Sequence, residues 1–201
     1  MKIILLISVI CYAAFATQYV PIPKREHGIL IGNPAAEVKI DLIYDPVCDG
    51  SAYFDQTLQK AWGMIDPEIK EKVSLRFISL SLPYHIASQK LTQAIIYVQQ
   101  QKGNQEALTL FRDFLSDTDK NDEDNIRNET IRGLMRRIAQ RVNTLFGLET
   151  EDVLKELAHY SVTDNKVRQW SKFVMGAIKA AGTPRLRVNG VIVESAVDMS
   201  P

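Results

Sequence analysis

The chain has 201 residues, 46% of them hydrophobic and 24% charged, with 24 basic and 24 acidic side chains. Those values exclude wholesale disorder, and the zero formal charge excludes a nucleic-acid-binding surface spread over the whole domain. The length suits one domain with a sizeable core, or one domain that carries an insertion.

Lys2, the apolar run Ile3 to Cys11 and the small-residue pattern Ala14-Phe15-Ala16 form a secretory signal peptide, residues 1–16, cleaved after Ala16. The apolar run is too short to span a bilayer. No later segment is long and apolar enough, so no membrane span is expected after cleavage. The expected compartment is the secretory pathway: endoplasmic reticulum lumen, vacuole or extracellular space. The final residues carry no retention tetrapeptide. Cleavage removes Cys11 and leaves Cys48 as the sole cysteine, in a compartment where thiol–disulfide exchange operates.

Residues 17–27 are polar, contain Pro21 and Pro23, and read as an extended lead-in. Gly28 to Gly32 predicts a short strand closed by the turn Gly32-Asn33-Pro34. Val38 to Tyr44 is nearly continuous in apolar character, as a buried central strand should be. After Cys48, the residues Tyr53, Phe54, Leu58, Trp62 and Ile65 recur at helical spacing and predict a core-facing helix. Val73 to Leu82 predicts another strand, ended by Pro83. Helical patterns follow around Leu91–Val98, Leu108–Leu115, Ile131–Val142 and Val153–Tyr160, with a polar loop over Asp117 to Asn125. A last helix is expected from a cap at Thr163 or Asp164 to Ala181, stopped by Gly182. Pro184 to Val188, Asn189-Gly190 and Val191 to Val193 spell a β-hairpin with a two-residue turn.

The order β, β, α, β, helical block, α, hairpin is that of an α/β thioredoxin-like fold with a helical insertion after the third strand. The expected division is 17–83 for the first part of the core, 84–161 for the insertion and 162–201 for the second part. Cys48 then sits at the strand-to-helix junction in Asp45-Pro46-Val47-Cys48-Asp49-Gly50-Ser51.

Four pieces in this order resemble the DsbA-like branch of the thioredoxin superfamily. They are Gly32-Asn33-Pro34-Ala35-Ala36, Asp45-Pro46-Val47-Cys48, Leu82-Pro83-Tyr84-His85, and Gly182-Thr183-Pro184 ahead of Val188-Asn189-Gly190. The resemblance covers roughly Gly28 to Ser195. It implies a cis proline at Pro184, packed beside the active-site cysteine in a loop that helps hold a bound chain. Within that branch the chain looks most like a eukaryotic secretory subgroup with Cys-Pro-Asp-Ser in place of Cys-x-x-Cys. Cys48 and Ser51 keep the outer positions, and Asp49 and Gly50 alter the middle pair. In two respects the chain departs from its relatives. Arg185 and Arg187 stand after the proline where apolar residues are usual, and the sequence stops at Pro201 where relatives begin a C-terminal helix. The expectation is that the two arginines face the sheet surface such a helix would cover, and a sequence cut short before that helix explains the ending equally well.

One thiol without a resolving partner sets the chemistry. The thiolate is the attacking species, and a helix N-terminus favours it. Ser51 is in reach to donate a hydrogen bond to the sulfur, while Asp45 and Asp49 oppose a second anion. His85 pairs with Cys48 only if the insertion folds over the site. Because Ser51 forms no disulfide, a mixed disulfide on Cys48 has to be resolved by glutathione or by the client's own thiol. The expected partners are thiol- or disulfide-containing polypeptides, with glutathione as co-substrate and no bound cofactor. Cys48 and Ser51 are the candidate catalytic residues. Asp49, Gly50, His85, Thr183 and Pro184 are the candidate substrate contacts.

Two other readings stay open: a redox-inactive thioredoxin-like module that binds polypeptide, and a glutathione transferase resembling the kappa class. In the second, Ser51 or a nearby hydroxyl activates glutathione and Arg185 or Arg187 holds a carboxylate. The acidic stretch Asp117, Asp119, Asn121, Glu123 imitates a calcium loop. Asp122 stands where glycine is required and Asn128 where the closing glutamate is required, so no metal is expected. Asn128-Glu129-Thr130 is an N-glycosylation sequon.

Overall fold

The computed structural model describes residues 27–193. The expected signal peptide with its cleavage site, Cys11, most of the lead-in and everything after Val193 lie outside the described residues. A five-stranded sheet forms the centre, in the order β1 (Ile29–Ile31), β3 (Val73–Ser79), β2 (Val38–Tyr44), β4 (Arg185–Val188), β5 (Val191–Ile192). β2 pairs parallel with β3, while β1, β4 and β5 each run antiparallel to their neighbours. The two strands expected from apolar runs, β2 and β3, thus lie inside the sheet with neighbours on both sides. Every residue of β3 is buried, as a strand covered on both faces should be.

Helix α1 (Asp49–Met64) follows β2 and is succeeded by a one-turn helix, α2 (Pro67–Lys70), capped by Asp66. The helical block comprises α3 (Ser88–Lys102), α4 (Asn104–Leu115), the short α5 (Glu123–Ile126), α6 (Ile131–Phe146) and α7 (Thr150–Glu156). α8 (Val162–Lys172) continues without a break into a π-helical turn over Phe173–Ile178. α3 is the pillar of the block. It is buried from Leu91 through Val98 and packs against α4, α6, α7 and α8. No described helix is long and apolar enough to cross a membrane.

On one face of the sheet, the Tyr44 ring makes edge contacts with Phe54 of α1, Phe77 of β3 and Phe111 of α4 at centroid distances of 6.0, 5.9 and 6.3 Å. Such T-shaped pairs add to simple area burial. Across β3, β2 and β4 the register aligns Arg76, Asp41 and Arg187. Asp41 receives Arg76 Nε at 2.8 Å and Arg187 Nε at 2.5 Å.

Several expectations are revised. Tyr53 is 48% exposed, so the helical stripe faces the core through Phe54 and Leu58 instead. The polar loop Asp117–Asn125 contains a 3₁₀ turn (Thr118–Asn121) and α5, because the Asp122 side chain caps the Asp124 N–H. The cap of α8 is Ser161, whose Oγ accepts from Asp164 N–H at 3.1 Å. That helix ends where Lys179 turns left-handed, three residues before Gly182. Arg187 does not face open solvent. Its side chain is 18% exposed and bound to Asp41. The hairpin turn is as expected, with positive φ at both Asn189 (46°) and Gly190 (88°).

Candidate functional site

Cys48 is placed by a tight turn at the carboxyl end of β2. Asp45 O accepts from Cys48 N–H at 3.1 Å, and Asp45 Oδ1 accepts from Val47 N–H at 2.9 Å. An aspartate that bonds the backbone two residues on is a local turn former. Cys48 is then the N-cap of α1, extended in backbone (φ −77°, ψ 119°), with no side-chain bond to the helix's free N–H groups. Its Sγ instead lies 3.6 Å from the carbonyl oxygen of Thr183. That bond belongs to the thiol alone, since a thiolate has no hydrogen to donate. The cysteine is partly exposed.

The Thr183–Pro184 peptide bond is cis, and the loop that contains it faces the first turn of α1. A Cβ on Gly50 would come within 3.2 Å of Pro184 Cδ and 3.6 Å of Cys48 Sγ. Gly50 therefore lets helix, proline and sulfur approach closely, which is a reason for glycine that needs no unusual φ. Asp49 is exposed in the first turn of the helix, where a carboxylate complements the helix dipole.

Cys48, Gly50, Thr183 and Pro184 are thus brought together. Ser51 and His85 are attached to a different residue, Asp45. Ser51 is fully buried and its Oγ accepts from Asp45 N–H at 3.2 Å. His85 Nδ1 sits 3.1 Å from Asp45 Oδ2, an ion-pair distance but off the line of a good hydrogen bond. The Asp45 carboxylate is itself wholly inaccessible, and Oδ2 also accepts from Leu82 N–H at 2.7 Å. Burial raises its pKa above the ordinary carboxylate value. The bonds from Leu82 and Val47, with the charge and contact of His85, pull the other way without cancelling that rise.

Asp45 is the residue whose importance the sequence understates. Its place three residues before the cysteine marks it as a neighbouring charge. Its role as the knot joining the Cys48 turn, Ser51, the loop after β3 and His85 depends on contacts with Leu82 and His85, roughly 40 residues away in sequence.

Beyond His85 opens a pocket of about 400 Å³ between the loop after β3, α3 and α8. Ser81, His85, Gln89, Arg168 and Ser171 contribute its polar lining. Arg185 remains beside the proline, its guanidinium 3.5 Å from Pro184 O. Asn128 is exposed in the turn between α5 and α6, and Thr130 of the same sequon caps α6 through Gly133 N–H.

No protein-family model and no curated protein sequence matches the chain. Solved structures do. BdbD of Bacillus subtilis, in oxidised form, superposes with a TM-score of 0.67 at 12% identity, over 85% of this chain and 86% of its own. DsbA of Chlamydia trachomatis gives 0.64 at 13% identity, over 89% and 92%. MdbA, a thiol-disulfide oxidoreductase of Corynebacterium diphtheriae, gives 0.63 at 14% identity, over 93% and 95%. The fold is therefore thioredoxin-like with a helical insertion, of the kind DsbA proteins adopt.

Proposed function

We propose that this is a monothiol thiol–disulfide exchange protein that acts through Cys48 on disulfide-bearing polypeptides or glutathione adducts in the secretory pathway. The observation that carries the reading is the pairing of a partly exposed thiol at a helix N-cap with the Thr183–Pro184 loop, 3.6 Å from sulfur to carbonyl. Loss of the S–H proton frees the sulfur from Thr183 O and leaves it at the end of α1, where unpaired backbone N–H groups favour an anion. The thiolate attacks a client disulfide, forms the Cys48–client bond and releases the other half of the client as thiolate. A second thiolate, from glutathione or from the client, then attacks the mixed disulfide and returns Cys48 as thiolate, so that no net oxidant is required. Thr183 and Pro184 line the approach, with Asp49 and Gly50 on the helix side.

The test is an adduct trap in secretory extract. Disulfide-linked clients recovered on the wild-type protein and missing from Cys48→Ala support the reading. Equal recovery from both overturns it.

One observation favours a second reading, that of a redox-inactive module binding extended polypeptide in the same groove. The resting thiol is tied to a backbone carbonyl, and Ser51, turned inward, offers the sulfur no exposed hydroxyl. Client binding that survives Cys48→Ala, without a covalent adduct, selects it. The inward hydroxyl also gives the glutathione-transferase reading no exposed activating group at Ser51. Glycosylation at Asn128 belongs to the same secretory reading, and a mobility shift on glycosidase treatment, abolished by Asn128→Gln, checks it.

A further inference from the structure

The pocket beside His85 is walled by two basic side chains, each anchored from behind by a wholly buried carboxylate. His85 is held at its Nδ1 edge by Asp45, and Arg168 donates from Nη2 to Asp164 Oδ2 at 2.6 Å. Gln89 donates to the other oxygen of Asp164 at 2.7 Å. The Arg168 guanidinium also lies over the Tyr160 ring, 5.4 Å from its centroid. A guanidinium has five N–H donors and only one is taken by Asp164, so the group is oriented but far from saturated. Ser81 and Ser171 add hydroxyls to the lining, and no aspartate or glutamate lines it. Glu123, which accepts from Ile86 N–H, keeps its charge but stands outside the lining. The polar part of the lining offers donors to a carboxylate and itself contains no acid.

The pocket is also fastened to the reactive turn. Leu82 forms part of its wall and donates to Asp45 Oδ2, and the Asp45 carbonyl accepts from Cys48 N–H. About 400 Å³ lies in the range of small-molecule sites. Monothiol chemistry needs an external thiol for its second step, and here a donor-lined pocket of suitable size adjoins the cysteine's own turn.

We infer that this pocket holds the carboxylate end of a small thiol co-substrate, of the glutathione class, whose sulfur resolves the mixed disulfide on Cys48. Arg168, Ser171 and Gln89 bind the carboxylate and His85 faces the bound molecule from the opposite wall. In the resolving step the co-substrate thiolate attacks the Cys48–client disulfide at the client sulfur. A new co-substrate–client disulfide forms, and the electron pair of the broken S–S bond returns to Cys48 as thiolate.

The inference rests on the proposed exchange activity, so binding is tested apart from chemistry. S-methylglutathione, which has no free thiol, is titrated into Cys48→Ala while the His85 ring resonances are followed by NMR. A saturable shift of His85 is expected. Ser171→Asp, which adds an anion to the lining, should weaken it at least tenfold, and the neutral Ser171→Asn should restore it. In the wild-type protein, Ser171→Asp should raise the KM for glutathione by a similar factor. Absence of a saturable His85 shift, or a KM unchanged by Ser171→Asp while exchange proceeds, overturns the pocket. Binding that obeys the Ser171 pattern in a protein showing no Cys48-dependent exchange overturns the activity and leaves the pocket standing.

Discussion

Two aspartates four residues apart meet opposite fates. Asp41 lies within β2 and Asp45 just past its end, and both are shut away from solvent. Asp41 is gripped by guanidiniums from the strands on either side, Arg76 and Arg187, in a ladder fixed by sheet register. Asp45 has backbone N–H groups and a histidine instead, and burial lifts its pKa. Charges compensated by fixed opposite charges become part of the frame. A charge compensated mainly by neutral donors remains able to change its protonation state, and it is this one that sits under the cysteine.

The sharpest way to break the contrast is to remove the framed acid. Asp41→Ala leaves Arg76 and Arg187 without their shared carboxylate in a buried setting, where removing one partner costs about 3–5 kcal/mol. Chemical denaturation should show that loss. A change below about 1 kcal/mol would mean that the ladder is better hydrated than its burial implies.

Asp45 should appear in the pH dependence. Its native pKa lies above the ordinary value, so between the unfolded and native values the folded state binds the extra proton. Its contribution to stability is therefore full below the unfolded pKa and declines as pH rises through the raised native one. The slope is at most about 1.4 kcal/mol per pH unit for one proton. Asp45→Asn should lack that component when unfolding is followed from pH 4 upward. Asp164 gives the opposite sign. Burial would raise it, but the Tyr160 N–H bond, the bond and charge of Arg168 and the Gln89 bond outweigh burial and lower its pKa. Its stabilisation is present above 3.8 and is lost as pH falls through the lowered native value. Asp164→Asn should flatten this acid limb when the unfolding series is extended below pH 3.8, while leaving the Asp45 limb in place.

What could be read in advance follows the range of the interactions. β2, β3 and the hairpin were legible because a continuous apolar run and an Asn-Gly turn are local signals. The N-cap at Ser161 was also there to read, in the spacing Ser161-Val162-Thr163-Asp164. Thr163 and Asp164, the expected caps, instead turn their side chains inward, Thr163 Oγ1 donating to Glu156 O at 2.5 Å. The π-helical turn over Phe173–Ile178 carries no local composition cue that sets it apart from α-helix. In the site, Cys48 and Pro184 were legible from motif order. The attachment of Ser51 and His85 to Asp45, and the enclosure of Arg187 by Asp41, were not, because they depend on distant residues meeting in the folded sheet.

The smallest expected effect concerns Gly50, and it separates site from frame most cleanly. Alanine favours a helical position by about 1 kcal/mol over glycine, and Gly50 needs no positive φ that would strain it. The new Cβ would, however, stand 3.2 Å from Pro184 Cδ and 3.6 Å from the sulfur. The proline loop must give by a few tenths of an ångström, and the methyl group covers part of the sulfur's open side. Gly50→Ala should thus leave the denaturation midpoint nearly unchanged while slowing iodoacetamide alkylation of Cys48 roughly threefold, equivalent to about 0.65 kcal/mol in the barrier. Alkylation as fast as wild type in a stably folded variant would mean that reagents reach Cys48 from a side not bounded by Gly50 and Pro184. The groove assigned to clients would then have to be redrawn.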